Sequence, residues 1–151
     1  MSRFYFAYGS NMNPERVTER GLRYDVVCGA VLVGVRLTFD KQSRDHPRGG
    51  HANLTVDAHA EVEGVLYRLT ADDEIARMDR FEAVPVNYTR DVVSVSCNGH
   101  GVAAWTYFAT AQVLRPGLRP ERSYLNHLLA GRRYLSSAYF EWLSQVRCVD
   151  D

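Results

Sequence analysis

The chain has 151 residues, 46% of them apolar and 24% charged, the balance of one globular domain (1–151) with its own core. Basic and acidic side chains both number 18, so the formal charge is zero and no broad electrostatic footprint for nucleic acid or an anionic membrane surface is expected. Only Lys41 among the cations is lysine, and the arginine bias reads as compositional rather than functional.

Arg3 to Tyr8 is a short apolar strand that closes in Tyr8-Gly9-Ser10-Asn11-Met12 and meets a helix from Pro14 to about Arg20. Asn13 suits the cap of that helix and Pro14 its first turn, where a missing N–H costs nothing. A strand that ends in Gly-Ser-Asn before a helix offers several backbone N–H groups to one acceptor, and Gly9 admits close approach. The same residues also suit an ordinary turn. Val26 to Phe39 is rich in β-branched residues and is interrupted by glycine, which predicts a strand bent or bulged at Gly29 or Gly34.

Asp40 to Gly50 is polar and aperiodic, a loop whose three cations could meet an anionic ligand but which reads first as solvated. Ala52 to Val56 and Glu61 to Leu69 read as two strands, the second with apolar and polar residues mixed on both faces, as in a curved sheet partly covered on each side. Thr70 to Phe81 reads as a helix capped by Thr70, with Ile75, Met78 and Phe81 as its apolar stripe. Tyr88 to Cys97 and Val102 to Thr110 form a hairpin turned at Asn98-Gly99. Helices follow over Pro120 to Leu135 and Ser137 to Val146, the second aromatic through Tyr139, Phe140 and Trp142, which is read as core rather than a partner groove. Strands with few, scattered helices predict an α+β fold built on a small, mixed, strongly curved sheet closed into a barrel with peripheral helices.

Cys28, Cys97 and Cys148 are widely spaced and lack a C-x-x-C pair, which argues for buried thiols in a reducing compartment over a disulfide framework or zinc ribbon. The N-terminal apolar stretch is too short for a signal peptide and no run reaches membrane-spanning length, so a cytoplasmic protein is expected. His46, His51, His59, His100 and His127 show no metal-ligand spacing, and no metal or cofactor is expected. His51, beside the Gly49-Gly50 pair, could border a pocket, but a loop histidine is the stronger reading. Ser10 lacks the G-x-S-x-G elbow of a nucleophile.

Glu82 lies at the end of a predicted helix and enters Ala83-Val84-Pro85. A carboxyl at the negative end of a helix, among Phe81, Ala83 and Val84, has its protonated form favoured, as suits a group that accepts and returns a proton. On local sequence alone, a surface glutamate beside Arg80 is the stronger reading.

Taken in order, Tyr8-Gly9-Ser10-Asn11, Gly49-Gly50-His51-Ala52-Asn53-Leu54, Val62-Glu63-Gly64-Val65-Leu66-Tyr67, Met78-Asp79-x-x-Glu82-x-Val84-Pro85, Tyr88-x-Arg90 and Leu129-Ala130-Gly131 resemble the γ-glutamyl cyclotransferase family over nearly the whole chain. The resemblance implies a small mixed barrel and release of 5-oxoproline from a γ-glutamyl amine or amino acid, without cofactor or metal. It implies Glu82 as acid and base. Substrate-binding groups fall on Ala7, Tyr8, Gly9, Ser10 and Asn11, with Tyr88 lining the pocket or packing as a sheet aromatic. Arg90 is read as supporting its strand or pairing with Asp79 or Asp91. The partner implied is a small γ-glutamyl molecule, and the oligomeric state is left open. The family often carries Gly where Ala83 stands and Leu where Met12 stands. A non-catalytic ligand-binding protein on the same fold is the alternative.

Overall fold

The computed structural model describes residues 2–151. Five strands, β1 (Phe4–Ala7), β2 (Tyr24–Gln42), β3 (Gly50–Leu69), β4 (Tyr88–Cys97) and β5 (His100–Ala109), close into a barrel in the order β1-β3-β2-β4-β5. All neighbours are antiparallel except β5 and β1, which close the barrel in parallel with Tyr5 opposite Trp105. Four short helices decorate it: α1 (Pro14–Glu19), α2 (Ile75–Asp79), α3 (Arg122–Leu129) and α4 (Ser137–Ser144).

The long β2–β3 hairpin makes the curvature. Its register slips between Val33 and Val35, where Gly34 takes φ +84° and four residues of β3, 57–60, stand against one of β2. The two strands expected over 52–56 and 61–69 are therefore one strand with this irregularity inside it. Gly29 does not bend the chain. A Cβ there would lie 2.3 Å from the carbonyl oxygen of Tyr134, so its role is to let the α3–α4 connection seat on β2. The loop expected over 40–50 is shorter, because Asp40–Gln42 extend β2 and residues 43–49 form a tight turn closed by Ser43 N–H to Gly49 O at 2.8 Å. Asn98 (φ 51°) and Gly99 (φ 80°) turn the β4–β5 hairpin as expected.

Two helices are shorter than their periodicity suggests. α2 begins only at Ile75, because the buried Glu74 carboxylate accepts from the backbone N–H of Arg23 at 2.8 Å and pairs with Arg77 at 3.2 Å. Those bonds pin the helix start to the strand entry, Thr70 caps nothing, and Phe81 turns outward. α3 starts at Arg122 because Arg119 is held against β3 by Gly50 N–H at 2.8 Å, and Gly131 ends the helix in a 3₁₀ turn. Leu125 and Leu128 of α3 are fully buried against the chain following β1; burial of each contributes about 1.5–3 kcal/mol. In α4 Leu143 is the buried residue and Trp142 faces solvent. Of the three cysteines only Cys148 is buried; the half-buried Cys28 and Cys97 bring their sulfurs within 3.4 Å across β2 and β4.

Gly64 of β3 lies directly under β1. A Cβ at Gly64 would stand 2.4 Å from the Ala7 carbonyl oxygen and 2.8 Å from the Phe6 ring. Gly64→Ala is therefore expected to lower stability by about 1–3 kcal/mol in denaturant unfolding, with β1 pushed off its partner.

Candidate active site

The end of β1 runs into one 3₁₀ turn, Ser10–Met12, before Asn13 caps α1 by accepting the N–H of Glu15 at 3.2 Å. The N–H groups that open such a turn have no acceptor within it, and that of Ser10 faces Tyr124 Oη. Gly9 is needed for space: a Cβ would meet Ala52 Cβ and Tyr124 Oη, each at 3.1 Å. Asn11 is buried. Its side-chain nitrogen donates to Tyr5 Oη at 2.9 Å and Glu82 Oε1 at 3.3 Å, and its side-chain oxygen accepts from Arg20 at 3.0 Å.

Glu82 sits in the turn after α2. Its N–H bonds the Met78 carbonyl at 3.2 Å, and Val84 N–H bonds that of Asp79 at 3.1 Å. The Asp79 carboxylate accepts from Arg90 at 2.8 and 3.1 Å and from Tyr107 Oη at 2.7 Å, so the base of the turn is locked to β4 and β5. Arg90 thus supports the strand, as expected. Ala83 adopts φ 48°, a left-handed conformation in which Ala is strained by about 1–2 kcal/mol.

A cavity of about 230 Å³ opens between these two segments. Tyr8, Gly9, Ser10, Asn11, Glu82 and Tyr88 all line it, whereas Ala7 is buried in β1 and does not. Tyr8 and Tyr88 form the walls with their hydroxyls donated to backbone carbonyls, Tyr107 at 2.6 Å and Ala52 at 2.8 Å. Burial pushes both phenols well above the usual tyrosine range, with Glu82 adding to the shift. Ser10 Oγ accepts from Arg16 Nε at 3.2 Å.

Burial raises the Glu82 carboxyl above the ordinary carboxylate range, while Arg20, Lys41 and Arg16 pull it back and Asp79 pushes it up again. Those cations, together with Tyr5, His51 and Tyr124, line the cavity, and of these only Lys41 and His51 carry a sequence reading as groups that could face a ligand. For Arg16 and Arg20 a signal existed: two cations one helical turn apart, immediately after the Gly-Ser-Asn bend. His51 lies in β3 rather than a loop, stacked on Tyr124 with ring centroids 4.4 Å apart at 9°. Burial, then Lys41 and Arg16, push its pKa down to about 4, so it is neutral at pH 7. Among the described residues no group of three or more His, Cys, Asp or Glu is arranged to hold a metal ion.

The profile described as gamma-glutamyl cyclotransferase, AIG2-like, matches residues 5–127. The chain belongs to this family. Its fold is similar to that of an uncharacterized human protein, 25% identical, with a TM-score of 0.85 over 98% of this chain and 89% of the other. A solved gamma-glutamyl cyclotransferase is 24% identical, with a TM-score of 0.84 over 100% and 91% of the two chains. A yeast gamma-glutamyl cyclotransferase specific to glutathione is 13% identical, with a TM-score of 0.64 over 93% of each. The last two likenesses are of fold. No curated protein sequence is significantly similar to the chain. The family thus accounts for the barrel, and no helix among the described residues is long and apolar enough to cross a membrane.

Two measurements check the local physics. Ala83→Gly is expected to raise stability by about 0.5–1 kcal/mol, because relief of the left-handed strain exceeds the added chain entropy of glycine. His51 has a folded pKa below its unfolded value of about 6.5, so it contributes stability that is present above that pH and is lost as pH falls toward 4. His51→Phe, which keeps a ring against Tyr124, is expected to lose less melting temperature than the parent between those pH values.

Proposed function

We propose that the protein is a γ-glutamyl cyclotransferase that releases 5-oxoproline and a free amine, with Glu82 as its general base and acid. One observation carries this reading: the half-buried Glu82 carboxyl shares a cavity with the Gly9–Asn11 bend and is tied to it through Asn11 at 3.3 Å. Family membership supports the reading.

The substrate brings its own nucleophile. Its α-amine nitrogen attacks the γ-carbonyl carbon, and Glu82 takes the N–H proton as the new C–N bond closes a five-membered lactam. The carbonyl electron pair moves onto oxygen, where the N–H groups of Ser10 and Asn11 donate. As the carbonyl re-forms, the bond to the leaving nitrogen breaks and Glu82 returns its proton there. Ring closure is intramolecular, and effective molarities of about 10⁵–10⁸ M are available once the chain is held folded. The enzyme therefore needs positioning and one proton carrier rather than a nucleophile. A carboxyl raised by burial and restrained by Arg20, Lys41 and Arg16 suits a group that is ionised at the start and protonated midway. The tyrosine walls exclude water and hold the glutamyl chain bent.

Glu82→Gln is expected to lower kcat/KM for 5-oxoproline release from γ-glutamyl compounds by about 10²–10⁴ while binding, followed by calorimetry, changes little. The parent enzyme's rate is expected to fall on the acid side with an apparent pKa above the usual carboxylate range, since the protonated Glu82 cannot accept a proton. Wild-type turnover by the variant would overturn the mechanism. Tight binding with no 5-oxoproline from the parent protein would leave a ligand-binding member of the fold.

A further inference from the structure

Lys41, the single lysine of the chain, is 4% exposed, yet among the described residues its ammonium has no hydrogen-bond or ion-pair partner. It stands over the face of Tyr88, with Nζ 5.9 Å from the ring centroid, and lines the cavity of Glu82. Its desolvation is opposed only by the Tyr88 ring and the charge of Glu82, and no anion is bonded to it among the described residues. The environment offers little relief: burial lowers its pKa, Glu82 opposes that shift, and Arg44 adds to it.

The charge count around Lys41 is lopsided. Arg16, Arg20, Lys41, Arg44 and Arg80 border the cavity, against the carboxylates of Asp45 and Glu82, and His51 is neutral. A γ-glutamyl group brings one carboxylate and one amine and leaves that excess in place. Lys41 and Arg44 also border an adjoining cavity of about 420 Å³ together with Arg115, Asn87 and Gln112, and no carboxylate faces it. The positive excess therefore extends from the cavity of Glu82 into this adjoining one.

We infer that Lys41 binds a carboxylate on the leaving-group half of the substrate, so that the protein acts on γ-glutamyl amino acids in preference to γ-glutamyl amines that lack a carboxylate. This rests on the cyclotransferase reading above. The side chain of Lys41 is buried and its ammonium, over the Tyr88 ring, borders the cavity, where an entering carboxylate would meet it. A substrate carboxylate supplies the missing partner and offsets the desolvation already incurred.

γ-Glutamyl-L-alanine and γ-glutamylethylamine differ by that one carboxylate and form a matched pair. The parent enzyme is expected to show kcat/KM at least about tenfold higher for the alanine compound. Lys41→Met should shrink the ratio to within about threefold, and Lys41→Arg should restore most of it. The same pair is measured by calorimetry on Glu82→Gln and on Glu82→Gln/Lys41→Met. A binding preference for the alanine compound that disappears with Lys41→Met supports the assignment even if no 5-oxoproline is formed, in which case only the catalytic reading falls. Equal use and equal binding of the two compounds, equal loss for both in Lys41→Met, or binding of neither would overturn it. Equal loss would mark Lys41 as holding the glutamyl carboxylate common to both. Melting curves for each variant separate lost contacts from lost folding.

Discussion

The amide of Asn11 is the junction on which the cavity is built. One nitrogen reaches the Tyr5 hydroxyl in β1 and the Glu82 carboxyl after α2, the side-chain oxygen takes a hydrogen bond from Arg20 beyond α1, and the backbone carbonyl takes one from Tyr67 of β3 at 2.6 Å. Four parts of the chain, two of them distant in sequence, thus converge on one buried residue whose side-chain amide and backbone carbonyl are engaged. The barrel brings Tyr5 and Tyr67 to neighbouring strands, where their rings stack 6.0 Å apart, and that fixes where Asn11 can sit. Buried polar networks are costly unless satisfied, so this one specifies a single arrangement of the bend relative to the Glu82 turn.

Around that junction the electrostatics divide into groups held silent and one group left responsive. The buried tyrosines are driven far from titration, and Tyr8 and Tyr88 donate to backbone carbonyls, so they serve as fixed walls. His51 is held neutral against Tyr124. Asp79 is consumed by Arg90 and Tyr107. Glu82 alone among the carboxyls there feels burial and cations in opposition, the balance needed by a group whose charge must change during a reaction cycle.

Much of this was legible in residue order. The Tyr8–Asn11 bend, the hairpin at Asn98-Gly99 and Glu82 at the end of a helix each have a local physical signature, and the curved sheet follows from many strands with few, scattered helices. What was not legible depends on distant partners. The start of α2 is set by Arg23 bonding Glu74 across 51 positions, which no periodicity encodes. The continuity of β3 through residues 57–60 depends on where β2 slips at Gly34. His51 reads as a loop residue until β3 is seen to begin at Gly50. The left-handed Ala83 shows the reverse case: the residue type argued against a turn that the surrounding backbone bonds impose nonetheless.

The short turn over residues 43–49 has a bearing on how such a protein diversifies. It is closed on itself by backbone bonds, and its exposed side chains, Arg44 and Asp45 among them, rim the cavity without touching Asn11 or the segment that carries Glu82. Substitutions at Arg44 and Asp45 would reshape the mouth of the cavity and its charge while the hydrogen bonds that join Asn11 to Glu82 stay in place, so the rim and the interior of this pocket can vary independently of one another.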